Sequence, residues 1–378
     1  MKDVMGLIYT SKNETSLREL TASRAVAALP VAGRYRMIDF MISNMVNSGI
    51  RNVGVIMQKN YHSLMDHLGS GKEWDLHTRN DGLFILPPFL TRDNVGSYRG
   101  ILDALHSNLN YLRRSSQEYV ILTNSHTVLN TTFDDFLEFH EKTRADITLM
   151  YARKQPEEID ETITLSPRHV YLSVGEDGVL TDLEIGPSAP KTHNFYMDIM
   201  LLRRDLLLRL IDQTFAEGVV DINRELLQRS VHNGPLRICG FEYTGYNHRV
   251  ETINSYYSLN MDLINPDCRH ALFDLHPVYT KVHDEVPARY MEGAHAANSL
   301  VADGCVIEGT VENSVLFRGV HVGPGAHIKN SILMQGDVIE SGVEIEHVIL
   351  DKHVTVLNGS RLIAPRLYPI VVGKGKTV

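Results

Sequence analysis

Cysteine is scarce: Cys239, Cys268 and Cys305 are the only three in 378 residues, and they lie far apart and odd in number. That argues against a disulfide framework or a thiolate metal site and predicts buried free thiols. Runs of positive charge are missing too. Lys and Arg number 37 against 46 Asp and Glu, a formal net charge of −9, and no basic run gives a nucleic acid or an anionic membrane a footprint. No apolar stretch approaches a membrane span, and the opening MKDVMGLIYTSKNE carries an apolar run far too short for a signal peptide, so the expected compartment is the cytoplasm. Low-complexity tracts are absent as well. With 43% hydrophobic and 22% charged residues, the chain can bury an ordinary core in one large or two moderate domains.

In the first half, short β-branched runs alternate with amphipathic stretches. Val4 to Tyr9, Val53 to Met57, Tyr119 to Leu122 and Ile147 to Tyr151 read as buried strands. In RGILDALHSNLNYLRR, Leu102, Leu105, Leu109 and Leu112 form one apolar stripe on a helix that ends in basic residues suited to its dipole. Right-handed crossovers then give a doubly wound, mostly parallel α/β sheet, whose ligands belong at the carboxyl ends of its strands. At the first such end the chain reads YTSKNETSLRELT, with no glycine between Gly6 and Gly33. Tight backbone wrapping of a triphosphate is therefore not expected there. The Ser, Thr and Asn cluster has helix capping or turn formation as its commoner meaning.

The last eighty or so residues lose helical periodicity and take up a period of six. Val320, Ala326, Ile332 and Val338 make one file, Val322, Ile328 and Met334 a second, and Leu350, Val356 and Leu362 resume it in shifted phase; Gly319 and Gly325, then Gly336 and Gly342, keep the same interval. A hexapeptide period with small and branched residues predicts a β-solenoid whose coils stack their inward side chains. The resulting division is a sheet domain over 1–275, a connector over 276–295 rich in Pro and mixed charge, and a solenoid over 296–378.

The stretch RAVAALPVAGRYRMIDFMISNMVNSGIRNVGVIMQ, above all YRMIDFMISNMVNSGI, resembles the N-terminal signature of bacterial glucose-1-phosphate adenylyltransferase. The similarity continues through HLGSGKEWDL, SYRGILDAL, EYVILTNSH, VYTK and NSLVADGCVIEGTVENSVLFRGVHVG, nearly the whole chain. It implies a nucleotidyltransferase-like domain followed by a C-terminal left-handed parallel β-helix. The chain departs from the pattern where the family does its chemistry. Ser16 stands in place of the triphosphate-gripping Arg, and Asn124 and Ser125 replace a Gly-Asp whose carboxylate holds the catalytic Mg²⁺. Ile185, Gly186 and Pro187 replace Glu-Lys-Pro, whose Lys binds the sugar phosphate, and Asn247, Arg249, Glu251 and Thr252 replace Trp-x-Asp-x-Gly-Thr. Gly-Thr-Ala-Asp-Ala survives as Gly100, Ile101, Leu102, Asp103 and Ala104, so Asp103 is retained beside two bulkier neighbours; of the metal carboxylates, Asp221 is retained.

Nucleotidyl transfer depends on positioning and on neutralising phosphate charge, and each lost cation or metal ligand costs about 3 kcal/mol, roughly two orders of magnitude in rate. Several losses together predict no useful turnover and no cofactor for this chain, with Mg²⁺ belonging to a catalytic partner. The pattern resembles the family's non-catalytic regulatory subunit, which implies a hetero-oligomer with the catalytic subunit, expected to be a tetramer, and self-association of the chain when alone. It also implies contacts to anionic effectors near Arg24, Arg34 and Arg36, although Ser23 and Val26 stand where the family has Lys. The competing reading pairs these arginines with Asp39 or Glu19. Gln58 occupies a loop that relays effector binding in the family, with Lys59 replacing its Tyr neighbour. The 18 histidines match no metal motif; His321 and His327, expected in adjacent coils, should face solvent or hydrogen-bond. Two other activities stay open: a sugar-phosphate nucleotidyltransferase with a relocated site, and a hexapeptide acyltransferase by fold analogy alone.

Overall fold

The computed structural model describes residues 1–10, 15–78, 81–88, 98–153, 169–218 and 221–378. Residues 11–14 of the SKNETSL loop, and Ser97 of SYRGILDAL, lie outside the described residues. Two compact units divide the chain: Met1–Lys12, Met41–Tyr61 and Leu68–Asn247 make one, and Asn13–Phe40, His62–His67 and His248–Val378 the other.

In the first unit, β1 (Val4–Tyr9) is buried along its whole length, as a run apolar on both faces requires. It lies between β2 (Asn52–Ile56) and β4 (Tyr119–Asn124), parallel to both, with Gly6 opposite Val53 and Ile121. β3 (Gly82–Leu86) extends the parallel set beyond β2. On the other side, β8 (Asn194–Arg203) runs antiparallel to β4 and to β5 (Ile147–Arg153), and β6 (Val170–Val174), β7 (Leu180–Ile185) and β9 (Ile238–Glu242) complete a nine-stranded mixed sheet. The four strands read from the sequence are β1, β2, β4 and β5. The single helix expected over residues 99–114 is instead two, α1 (Ile101–Ser107) and α2 (Leu109–Arg114). Asn108 interrupts them: its Nδ2 donates to the Ala104 carbonyl at 2.8 Å, a side-chain bond of the kind that competes with helix propagation. The leucine stripe still faces inward, with Leu102, Leu105, Leu109 and Leu112 all buried.

The second unit carries a left-handed parallel β-helix of three five-stranded parallel sheets. Val311, Ile328, Ile345 and Leu362 pair in succession, each 17 residues after the last. A coil is therefore one residue short of three hexads, and the six-residue file slips by one per turn. Val320, Ala326 and Ile332 are buried, but Val338 is 37% exposed and Asp337, 17 residues after Val320, is buried in its place. Gly319 and Gly336 sit at corresponding corners with φ of 66° and 73°, where a Cβ is disfavoured. His321 and His327 occupy different sheets of one coil rather than adjacent coils, and each meets a carboxylate, Glu308 at 2.8 Å and Glu312 at 3.1 Å.

The linear boundaries at 275 and 295 do not separate these units. Asn13–Phe40 folds with the β-helix, as the buried Arg24–Asp351 ion pair at 2.8 Å and the hydrogen bond from Tyr256 Oη to the Pro30 carbonyl at 2.7 Å illustrate. The three cysteines are free, Cys239 and Cys305 buried and Cys268 half-buried, and burial pushes each thiol up. No helix among the described residues is long and apolar enough to cross a membrane.

Candidate functional site

The positions where the sequence loses catalytic chemistry hold side chains engaged in local structure. At the carboxyl end of β4, Asn124 Oδ1 accepts the His126 N–H at 3.0 Å while its Nδ2 donates to Asp198 Oδ2 at 2.8 Å. Asp198 sits at an irregularity of β8 with φ of 56°. Ser125 is buried, and its Oγ finds no hydrogen-bond partner among the described residues. Asp103 Oδ2 accepts the Arg99 N–H at 2.9 Å, and Asp221 Oδ1 accepts those of Asn223 and Arg224 at 2.9 and 3.2 Å. Asp221 is thus a helix cap. The Gly186 N–H donates to the His169 carbonyl at 2.7 Å, Arg249 pairs with Glu251 at 2.7 Å, and Ser16 is exposed in the turn Thr15–Thr21.

This donor set does not suit Mg²⁺, a hard cation that wants carboxylate oxygens: a hydroxyl and a guanidinium stand at Ser125 and Arg249, and Asp221 is committed to backbone N–H groups. Among the described residues no three His, Cys, Asp or Glu side chains gather where they could hold a metal ion.

A different chemistry is concentrated in the second unit. An open pocket is lined by Arg34, Arg36, Lys281, His283, Arg318 and Lys352, together with His67, Gln335 and a few uncharged neighbours, and among the described residues no Asp or Glu lines it. Five Lys and Arg thus converge in a chain whose net charge is −9. None of the five makes an ion pair among the described residues.

Three structural pieces build this pocket. The hairpin Pro30–Val31/Tyr35–Arg36 turns through Gly33, at φ of 80°, and presents Arg34 and Arg36. Arg36 is fixed at its backbone by Asp39 Oδ2 at 2.9 Å and at its guanidinium by the Ser63 carbonyl and hydroxyl at 2.6 and 3.0 Å. The connector contributes His283 and Lys281, whose Nζ donates to the Asp66 carbonyl at 2.6 Å. The β-helix contributes a corner column, Arg318, Gln335 and Lys352, one residue from each of three successive coils. Buried His67 meets Asp39 at 2.5 Å beside the pocket.

The electrostatics reflect the crowding of like charges. Burial and, more weakly, the cations Arg24 and Arg318 push Arg36 down to about 10, against the pull of Asp39. Burial, then Arg36 and Arg24, push Lys352 down to about 7. His283 is lowered as well, first by burial, then by neighbouring cations, and Arg318 is lowered by burial against the opposing pull of Glu285. Nearby carboxylates, Asp39 for Arg36, Glu285 for Arg318 and Asp351 for Lys352, offset this only in part, and an anion in the pocket would stabilise its charged groups further.

Of the four expected effector residues, Arg34 and Arg36 line this pocket and Arg24 and Gln58 do not. Arg24 is 3% exposed and spends its guanidinium on Asp351, which was not among the partners anticipated for it. Gln58 lies in the other unit, where its Nε2 donates to Tyr9 Oη at 2.7 Å and its Oε1 is buried without a partner among the described residues. Lys281, His283, Arg318 and Lys352 escaped the sequence reading. A scan at the 17-residue coil period would have found Arg318, Gln335 and Lys352 as one polar column.

Two family models match the chain: nucleotidyl transferase over residues 13–161, and the GlmU-like, C-terminal hexapeptide over 284–362. A nucleotidyl transferase sheet joined to a hexapeptide β-helix is therefore the class. Within it, the chain is 40% identical over 376 residues to glycogen biosynthesis protein GlgD of Bacillus subtilis, covering 98% of this chain and 96% of that one. It is 36% identical to glycogen biosynthesis protein GlgD of Geobacillus stearothermophilus (85% and 82% covered) and 31% identical to glucose-1-phosphate adenylyltransferase of the same organism (86% and 83% covered). The chain belongs to the family formed by these relatives, that of glucose-1-phosphate adenylyltransferase and GlgD.

Proposed function

We propose that this chain is a regulatory, catalytically silent subunit of a cytoplasmic glucose-1-phosphate adenylyltransferase assembly in glycogen biosynthesis. It acts by binding a phosphorylated small molecule in the basic pocket and biasing a catalytic partner. The observation that carries this reading is the pocket itself: five Lys and Arg that make no ion pair among the described residues, in an acidic chain. Such a site serves anion recognition better than structural cohesion, since a cluster of cations without ion-pair partners gains most from a bound anion. The positions Ser16, Ser125, Gly186 and Arg249 support silence, because they withhold the cations and carboxylates that phosphate chemistry needs. Similarity to proteins named for glycogen biosynthesis and for glucose-1-phosphate adenylylation supports the setting.

Regulation requires that the chain contact two states of its partner differently, and that its own ligand shift the balance between them. A hetero-oligomer, expected as a tetramer, is the assembly this demands, with self-association of the isolated chain. The test is an assay of ADP-glucose formation from ATP and glucose 1-phosphate with Mg²⁺, using the purified chain alone and then mixed with a catalytic relative. No turnover alone and altered partner kinetics in the mixture are expected; robust turnover by the chain alone refutes the proposal.

A further inference from the structure

The basic pocket also holds an amine placed to react, whose role rests on the reading of that pocket as an anion site. Lys352 lines it half-buried, at the end of the Arg318–Gln335–Lys352 column. Its ammonium makes no ion pair among the described residues, because the adjacent carboxylate, Asp351, is held by Arg24 at 2.8 and 3.0 Å. Arg36 and Arg24 face it from the N-terminal segment and Lys374 from the chain beyond the last full coil, and Lys281, His283, Arg34 and Arg318 share the cavity.

We propose that Lys352 is a site of acylation by small acyl phosphates, whose phosphate the pocket's basic side chains hold while the Lys352 amine attacks the acyl carbon. The Nζ lone pair forms the new N–C bond, the C–O bond to phosphate breaks, inorganic phosphate leaves with that electron pair, and the amine's proton passes to water. The product is a neutral amide. Acylation therefore abolishes the charge that Lys352 can carry, leaving four Lys and Arg in the pocket, and weakens its hold on any phosphorylated ligand.

The chemistry of the site favours this lysine over others. Its ammonium is pushed down to about 7 by burial and by the two arginines, so about half of it carries a free lone pair near neutral pH. A lysine at the ordinary 10.5 offers on the order of one neutral amine in three thousand at pH 7. Desolvation beside other cations is the arrangement that turns lysine into a nucleophile. Lys191 is the opposite case: exposed, bound to Asp182 at 2.7 Å, and pushed up by that carboxylate.

The test incubates the full chain with acetyl phosphate near neutral pH and follows each lysine by peptide mass spectrometry, with calorimetry of inorganic phosphate on the same protein. Lys352 should be acetylated at least about tenfold faster than Lys191 or the Glu346-paired Lys329. Excess inorganic phosphate, or the substitution Arg318→Gln, should slow Lys352 and leave the other two unchanged. If phosphate binds but Lys352 reacts no faster than Lys191, the acylation proposal is overturned and the anion pocket stands. If phosphate neither binds nor protects and Lys352 shows no preference, both fall. Fast acetylation that phosphate does not slow overturns delivery by the pocket.

Discussion

Asp337 offers a quantitative check on the β-helix beneath the basic pocket. Its side chain is fully buried; Oδ1 accepts the Val354 N–H at 2.8 Å, and Oδ2 has no partner among the described residues. The charge that acts on it is that of Asp351, another carboxylate. Burial therefore pushes Asp337 up to about 9 from an ordinary 3.8, and at neutral pH it is an uncharged acid. A raised acid gives stability that is complete below the unfolded value and lost as pH rises through the folded one. Between about pH 4 and pH 9 unfolding releases one proton, and stability falls by about 1.4 kcal/mol per pH unit from this group. At pH 7 the gap from 3.8 is 3.2 units, a cost of about 4 kcal/mol. Asp337→Asn keeps the oxygen that Val354 needs and cannot ionise. The variant should be more stable than the parent by an amount near zero at pH 4 that grows toward about 4 kcal/mol at pH 7. Urea unfolding of both proteins at several pH values measures it. A stability difference that is flat with pH, or that shrinks as pH rises, refutes the buried neutral acid. Phosphate affinity should survive the substitution, since a neutral Asp337 contributes no negative charge under the pocket.

The same geometry sets three further outcomes. Asp351→Asn leaves the guanidinium of Arg24 buried and unpaired and should cost about 3–5 kcal/mol in thermal or urea unfolding. Arg34→Gln and Arg318→Gln should each weaken inorganic phosphate binding by about tenfold in calorimetry. Because neither arginine makes an ion pair among the described residues, the melting temperature should hardly change, and the affinity should fall with added salt. In the sheet unit, His140 is buried against Thr148 at 2.7 Å and pushed down to about 4, so its contribution is present above pH 6.5 and lost as pH falls through 4. His140→Gln should flatten that acid limb in urea unfolding, and an unchanged limb contradicts the assignment.

The strands of the sheet were legible because a parallel strand covered on both faces is a run of branched apolar residues, as in VMGLIY. The β-helix was legible as a six-residue rhythm, but its true repeat of 17 was not, so Val338 was placed inward although Asp337 is the residue that follows Val320 one coil on. The helix break at Asn108 hid behind an unbroken leucine stripe: apolar period reports which face is buried, not whether the backbone ladder is continuous. Losses of charge at Ser125 and Gly186 could be read one residue at a time. The pocket could not, because it joins a hairpin at residues 30–36 to coil corners at 318, 335 and 352. Arg24 shows the converse: its position suggested a ligand contact, and only its distant neighbour Asp351 reveals the buried ion pair.

The most direct test of a silent, ligand-bound regulatory subunit is the rate of ADP-glucose formation by a catalytic relative, measured with and without this chain, across phosphorylated sugars. The chain and its Arg34→Gln/Arg318→Gln variant are compared side by side. The account predicts no turnover by the chain alone, a changed rate in the mixture, and a dependence on phosphorylated ligand that the variant loses. Turnover by the chain alone, or a partner rate indifferent to both chain and variant, contradicts it.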